Sequence, residues 1–129
     1  MLKLEQQSNS QWFQNEFKIM TKYPEKTCEI DRLVTHQKLV TAALAGKKNQ
    51  QRRAGVYGYP GEQFVLEGTA FVITDLRLEA LSNMTEVDAI SEGYPNLEFY
   101  KDLIIKMHPG MEWDETQEVW VHEFEKVET

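Results

Sequence analysis

The 129-residue chain has one cysteine, four prolines and no long apolar run. A lone thiol, Cys28, closes no internal disulfide, so the fold has to rest on its core. A domain of this length buries roughly two-thirds of the surface its unfolded chain exposes, which suffices without disulfides or a metal. Membrane-spanning helices need roughly 18 or more consecutive apolar residues, and no such run occurs. The opening residues Met1-Leu2-Lys3-Leu4-Glu5-Gln6 turn polar at once and lack an apolar signal core. These absences lead to the expectation of a cytoplasmic protein that does not enter a membrane. The histidines His36, His108 and His122 are scattered, and no spacing resembles a zinc site. There is no phosphate-cradling glycine loop and no Ser-His-Asp arrangement, so neither a metal nor a cofactor is expected.

Acid is missing from one stretch, and that absence is informative. Residues 32–61 hold Arg32, Lys38, Lys47, Lys48, Arg52 and Arg53 with no Asp or Glu, a net +6. Residues 1–31 are net −1, and residues 62–129, with sixteen acids against four bases, are net −12, which together make the chain −7. Such a balance excludes a protein that coats nucleic acid with its whole surface. A single basic island in an acidic chain points to a local anion site.

No repeat, low-complexity tract or linker interrupts the sequence, so one domain over 1–129 is expected. Trp12, Phe13, Phe17, Ile19 and Met20 lie near helical spacing and predict a helix over 10–22, ended by Tyr23-Pro24. Thr27 to Val34 alternates weakly, as a short strand or an extended lead-in. Thr35 can cap a helix to Ala45, with Gly46 as its stop and Leu39, Val40, Ala43 and Leu44 as its apolar face. Gly55 to Gly61 reads as a loop. Gln63 to Leu66 and Thr69 to Leu78 read as strands turned at Glu67-Gly68, with a bulge near Asp75 needed to keep the apolar residues on one side. Thr85 and Asp88 form a capping-box-like helix start, and Gly93 is a natural stop. Asn96 caps a further helix carrying Leu97, Tyr100, Leu103, Ile104 and Met107 on one face, closed by Pro109-Gly110. Residues 118–127 alternate as a last strand. Helices and strands never alternate regularly, which predicts an α+β fold with a small mixed or antiparallel barrel flanked by helices.

The ordered series Gly46-Lys47-Lys48-x-x-x-Arg52-Arg53, Gly61-Glu62, Thr69 to Leu76, Ala89-x-x-Glu92-Gly93 and Trp120 to Phe124 resembles an ASCH domain, of the PUA-like group of RNA-associated β-barrels. The resemblance covers about residues 33–127 and leaves 1–32 as an N-terminal helical extension. It implies a PUA-like barrel whose cleft receives RNA or a nucleoside- or nucleotide-like ligand. It also implies that Lys48, Arg53 and Glu92 line that cleft. Some ASCH proteins remove the acetyl group from N-acetylated cytidine nucleosides, with a lysine base, a threonine nucleophile three residues later and a distant glutamate acid. Here the lysine and glutamate match Lys48 and Glu92, the candidate catalytic pair. The threonine position is Gln51, whose amide nitrogen lone pair is delocalised and unfit for attack. A binding domain is therefore expected first, and a hydrolase acting on a modified nucleoside or on RNA second.

The candidate ligand residues are Lys48, Gln51, Arg53, Glu92 and Tyr57. A desolvated lysine beside arginine loses basicity, which suits proton transfer. Arg53 can clamp a phosphate with two parallel hydrogen bonds. Glu92, at a helix C-terminus, needs a cationic partner because the helix dipole opposes an anion there. Tyr57, next to the basic island, can stack a base. Lys47 and Arg52 are read as rim or solvent residues. His122 shares a strand face with Trp120 and Phe124 and is read as a core or half-buried residue. Met84, Met107 and Met111 are read as core fillers.

Overall fold

A computed structural model describes residues 23–108, 110 and 112–127. The helix expected over 10–22 lies outside the described residues. In the rest, three α-helices and four strands run in the order α1 (Gln37–Leu44), β1 (Gln50–Arg53), β2 (Gln63–Leu66), β3 (Thr69–Ala80), α2 (Glu86–Glu92), α3 (Leu97–Met107), β4 (Glu118–Lys126). The architecture is α+β, with one antiparallel sheet ordered β1-β4-β3-β2. Among the described residues, the last strand thus lies inside the sheet and the first at an edge.

Local chemistry explains most of these elements. Glu67 and Gly68 both take positive φ, 48° and 84°, and turn β2 into β3. A two-residue turn of this hand matches the twist of the strands it joins. The register of β3 on β4 slips between Ile73 and Asp75, so Thr74 is the extra residue of a bulge. That bulge lets Phe71 and Ile73 on one side of it and Leu76 on the other all reach the core. Thr85 and Asp88 make a full capping box, Gly93 closes α2 in the left-handed conformation, and the Asn96 side chain caps α3.

Four expectations need correction. The cap of α1 is His36, whose ring accepts from the Lys38 amide, rather than Thr35. Residues 27–34 form no strand: Ile30–Arg32 is a 3-10 turn, and one parallel bridge joins Lys26 to Val56. Gln50–Arg53, read only as part of a charged island, is strand β1. Met107 is 61% exposed rather than a core filler, whereas Met84 is buried.

The sheet has two faces of different chemistry. One carries Phe64, Phe71, Ile73 and Phe124 against Leu33, Val34, Val40 and Ala43. Phe64 and Phe71 stack at 5.5 Å and meet the Phe124 ring edge-on at 5.3 and 5.9 Å. Burying each such ring stabilises the fold by about 1.5–3 kcal/mol. The other face, under α2, carries Gln50, Arg52, Arg77, Glu79 and Glu123, tied together by hydrogen bonds and ion pairs. The alternation of β1 therefore sends Gln50 and Arg52 towards α2, and Gln51 and Arg53 to the opposite side.

Candidate functional site

The site begins where α1 stops. Gly46 adopts φ 78°, and the amides of Lys47 and Lys48 both bond back to the Ala42 carbonyl. The chain then doubles across the end of α2: the Asn49 amide donates to the Ser91 carbonyl, and the Asn49 carbonyl accepts from the Phe124 amide. Lys47 remains exposed, as expected. Lys48 does not: it is only 2% exposed.

Turned inward, the Lys48 ammonium donates to the backbone carbonyls of Gln50 and Glu92, the latter at 2.8 Å. It lies 3.8 Å from Glu92 Oε1, and Glu92 is itself 1% exposed. The structure thus brings Lys48 and Glu92 together in a dry place. Burial pulls the Lys48 amine down to about 8, with the nearby Arg53 and Arg52 charges adding to the fall and Glu92 resisting it. Burial likewise pushes the Glu92 carboxyl up, opposed by Lys48 and Arg52. The two shifts bring the base and the acid closer in proton affinity, the direction expected of a pair that passes a proton between its members.

Arg52 departs from its expected place at the rim. It is 6% exposed, and its Nη1 donates to Gln50 Oε1 at 2.8 Å and to Glu92 Oε2 at 3.1 Å. Its Nη2 sits 3.6 Å from both Glu79 Oε1 and Asp88 Oδ2. Sequence reasoning missed this residue because two adjacent arginines look alike, although strand alternation would have sent one of them to each face.

Arg53 points away from Glu92, on the other face of β1. Its Nη2 donates to the Leu33 carbonyl at 2.6 Å, and its guanidinium lies 5.2 Å over the Tyr57 ring. Tyr57 therefore stacks on an arginine of its own chain. The Tyr57 amide donates to His122 Nε2 at 3.0 Å. Gln51 pairs with His122 across β1 and β4 and is buried. Among the described residues, the buried side-chain atoms without a hydrogen-bond partner are Gln51 Oε1, Arg52 Nη2, Arg53 Nε and Trp113 Nε1. Three of the four belong to β1.

A cleft of about 410 Å³ opens between the loop before β1, β3 and β4, and of the candidate ligand residues Lys48 lines it whereas Gln51, Arg53, Tyr57 and Glu92 do not. Gly46, Lys48 and Asn49 form one wall, Thr74, Glu123, Glu125 and Lys126 another, and Ala43, Phe71 and Phe124 its apolar floor. Lys48 is the residue that belongs both to the cleft and to the buried pair. Among the described residues, no group of three His, Cys, Asp or Glu side chains could hold a metal, and no helix is long and apolar enough to cross a membrane.

No family model and no curated protein matches the chain. Among solved structures it is similar to an ASCH domain from Lactobacillus crispatus JV V101, with a TM-score of 0.59 and 14% identity, covering 92% of this chain and 94% of that one. A protein from Enterococcus faecalis V583, described by the family model DUF984, aligns with a TM-score of 0.48 and 13% identity over 98% of this chain and 90% of that one. The first likeness shows the fold: the chain folds as an ASCH domain does.

Proposed function

We propose that this ASCH-type domain binds a nucleoside- or nucleotide-sized ligand in the cleft walled by Lys48. The sheet is then one side of a small PUA-like barrel. The observation that carries the reading is Lys48 itself, a fully buried amine paired with Glu92 that also walls a cleft of ligand size. Pockets of about 300–1,000 Å³ with an apolar floor and a few polar groups are the usual small-molecule sites. Phe71 and Phe124 close the cleft from the core side, Asn49, Thr74 and Glu125 offer partners for hydroxyl and amide groups, and Lys126 offers one cation for a phosphate.

A small ligand suits the charges better than an RNA strand. Of the six cations in 32–61, Lys48 and Arg52 are buried and Arg53 is engaged by the Leu33 carbonyl and Tyr57. Arg32, Lys38 and Lys47 remain exposed. The test is a thermal-shift and calorimetric panel of nucleosides, nucleotides and short RNAs at low and high salt. We expect a nucleotide to bind with a shallow salt dependence, near one counterion per phosphate contact, about one on a log–log plot. We expect Asn49→Ala and Lys126→Ala to weaken it. A short RNA binding with several-fold steeper salt dependence would replace this reading with strand binding. No response to any compound would remove it.

The displaced Lys48 and Glu92 favour a second reading, hydrolysis of a modified nucleoside by an activated water. Wild-type turnover of N-acetylated cytidine, lost in Lys48→Met and in Glu92→Gln, would support it. Turnover unchanged in both variants would exclude this pair. A gain on Gln51→Thr alone would show the scaffold to be a hydrolase site lacking its nucleophile.

A further inference from the structure

The hydrogen bond that fixes the Glu92 carboxylate does not come from Lys48, which donates to the Glu92 backbone carbonyl instead. The Lys48 ammonium donates to two backbone carbonyls and stands 3.8 Å from Glu92 Oε1, beyond hydrogen-bond distance. The bond comes from Arg52, whose Nη1 bridges Glu92 Oε2 and Gln50 Oε1. Arg52 is braced in turn from two other elements, by Glu79 of β3 and Asp88 of α2, each 3.6 Å from Nη2. Asp88 is held by Gln50 Nε2 at 3.2 Å and by the Thr85 capping box.

We propose that Arg52 is the positioning residue of this site: it ties down Glu92 Oε2 and leaves Oε1 as the oxygen presented to Lys48. The proposal rests on the reading of Lys48 and Glu92 as the functional pair. A guanidinium suits this role because it is planar, permanently charged and presents several donors in a fixed fork. A lysine at position 52 would keep the charge but lose the fork. The alternation of β1 is what makes Arg52, and not Arg53, available: only even-numbered residues of that strand face α2.

The consequence is a definite arrangement of charge. Lys48 and Arg52 face Glu92 from the loop before β1 and from β1 itself, and the Arg53 charge acts on it more weakly from the opposite face of that strand. The Tyr94 and Tyr100 hydroxyls feel it from the start and first turn of the α3 region. Of these, only Arg52 donates a hydrogen bond to the carboxylate. Without it, burial acts on Glu92 with only Lys48 close by, and the carboxyl holds its proton to higher pH.

The test reads Glu92 directly. In protein labelled with carboxyl-13C glutamate, the Glu92 signal is assigned by its loss in Glu92→Gln and titrated in wild type, Arg52→Met, Arg52→Lys and Glu118→Gln. We expect the Glu92 midpoint to rise by about one unit or more in Arg52→Met, the scale of losing an adjacent opposite charge. We expect a smaller rise in Arg52→Lys, which keeps the charge and protects the test if the methionine variant fails to fold. In Glu118→Gln, which removes an exposed carboxylate at the start of β4, we expect little change. A midpoint in the folded arginine variants indistinguishable from wild type would overturn the proposal, as would an equal rise in Glu118→Gln. This readout needs no ligand. If no nucleoside binds the wild type, the proposed function fails while the titration still decides the role of Arg52.

Discussion

A buried imidazole with two different neighbours has its protonation state dictated by them. His122 is 0% exposed. Its Nε2 accepts from the Tyr57 amide, so the proton of the neutral ring must sit on Nδ1, which faces the carbonyls of Gln51 and Trp120 at 3.2 Å each. Burial drives its pKa down to about 4, with Arg53 adding to the fall and the two carbonyls opposing it. We therefore expect long-range 1H–15N spectra to show His122 as the Nδ1–H tautomer, unchanged from neutral pH to about 5. Its midpoint should lie near 4, well below an ordinary histidine at about 6.5. A midpoint at the ordinary value would mean that the ring is wet and that the Tyr57 loop is not held by it. The same scale shows what the sequence could and could not reveal. The burial of His122 was legible from alternation with Trp120 and Phe124. The fate of the six cations was not, because charge counting is blind to partners such as Glu92, which lies 40 residues from Arg52.

Elements whose reasons are local were legible, and elements whose reasons are distant were not. The capping box at Thr85, the stop at Gly93, the cap at Asn96 and the turn at Glu67-Gly68 all act within a few residues, and all formed as read. Strand β1 has the sequence Gln-Gln-Arg-Arg, with no apolar residue to betray a period. It is a strand because β4, some seventy residues later, supplies its hydrogen bonds and α2 covers its charged face. Two glycines make the element scale testable. Gly46 and Gly93 both end helices with positive φ, but a Cβ on Gly46 would meet nothing within 4 Å. A Cβ on Gly93 would lie 3.0 Å from Leu39 Cδ2 and 3.6 Å from Lys48 Cδ. Gly46→Ala should therefore show only the left-handed backbone penalty, about 1 kcal/mol. Gly93→Ala should exceed it by about another 1 kcal/mol of crowding, since overpacking commonly costs about 1–3 kcal/mol. Equilibrium urea unfolding of the two variants measures the difference. Equal losses would show that α1 and the Lys48 stem are not packed tightly on the end of α2.

At the scale of the whole molecule, a desolvated amine makes stability depend on pH in a direction opposite to that of a lysine whose pKa is raised by an ordinary salt bridge. The folded state lowers the Lys48 pKa from 10.5 to about 8. Between those values the unfolded chain binds the proton more tightly than the native protein, so stability rises with pH. Below about 8 both states are protonated and the full penalty of burying the charge is present. Tyr94 and Tyr100 act the other way: burial raises both hydroxyls, so their contribution is lost once unfolded tyrosine ionises above 10. The usable window therefore runs from about 8 to 10, and at about 1.4 kcal/mol per unit the gain is on the order of 2–3 kcal/mol. The net charge of −7 adds a general repulsion that grows as other lysines titrate, and it would mask the effect in wild type alone. Subtracting Lys48→Met removes that background, because the variant has the same surface and a similar apolar stem. We expect the difference in unfolding free energy, wild type minus Lys48→Met, to climb across pH 8–10 and to stay flat from about 6.5 to 7.5. A flat difference across the whole range would mean that Lys48 keeps its proton in the fold as it does in water. The amine would then be an ordinary ion-pair cation, and the acid–base reading of its pairing with Glu92 would have to be withdrawn.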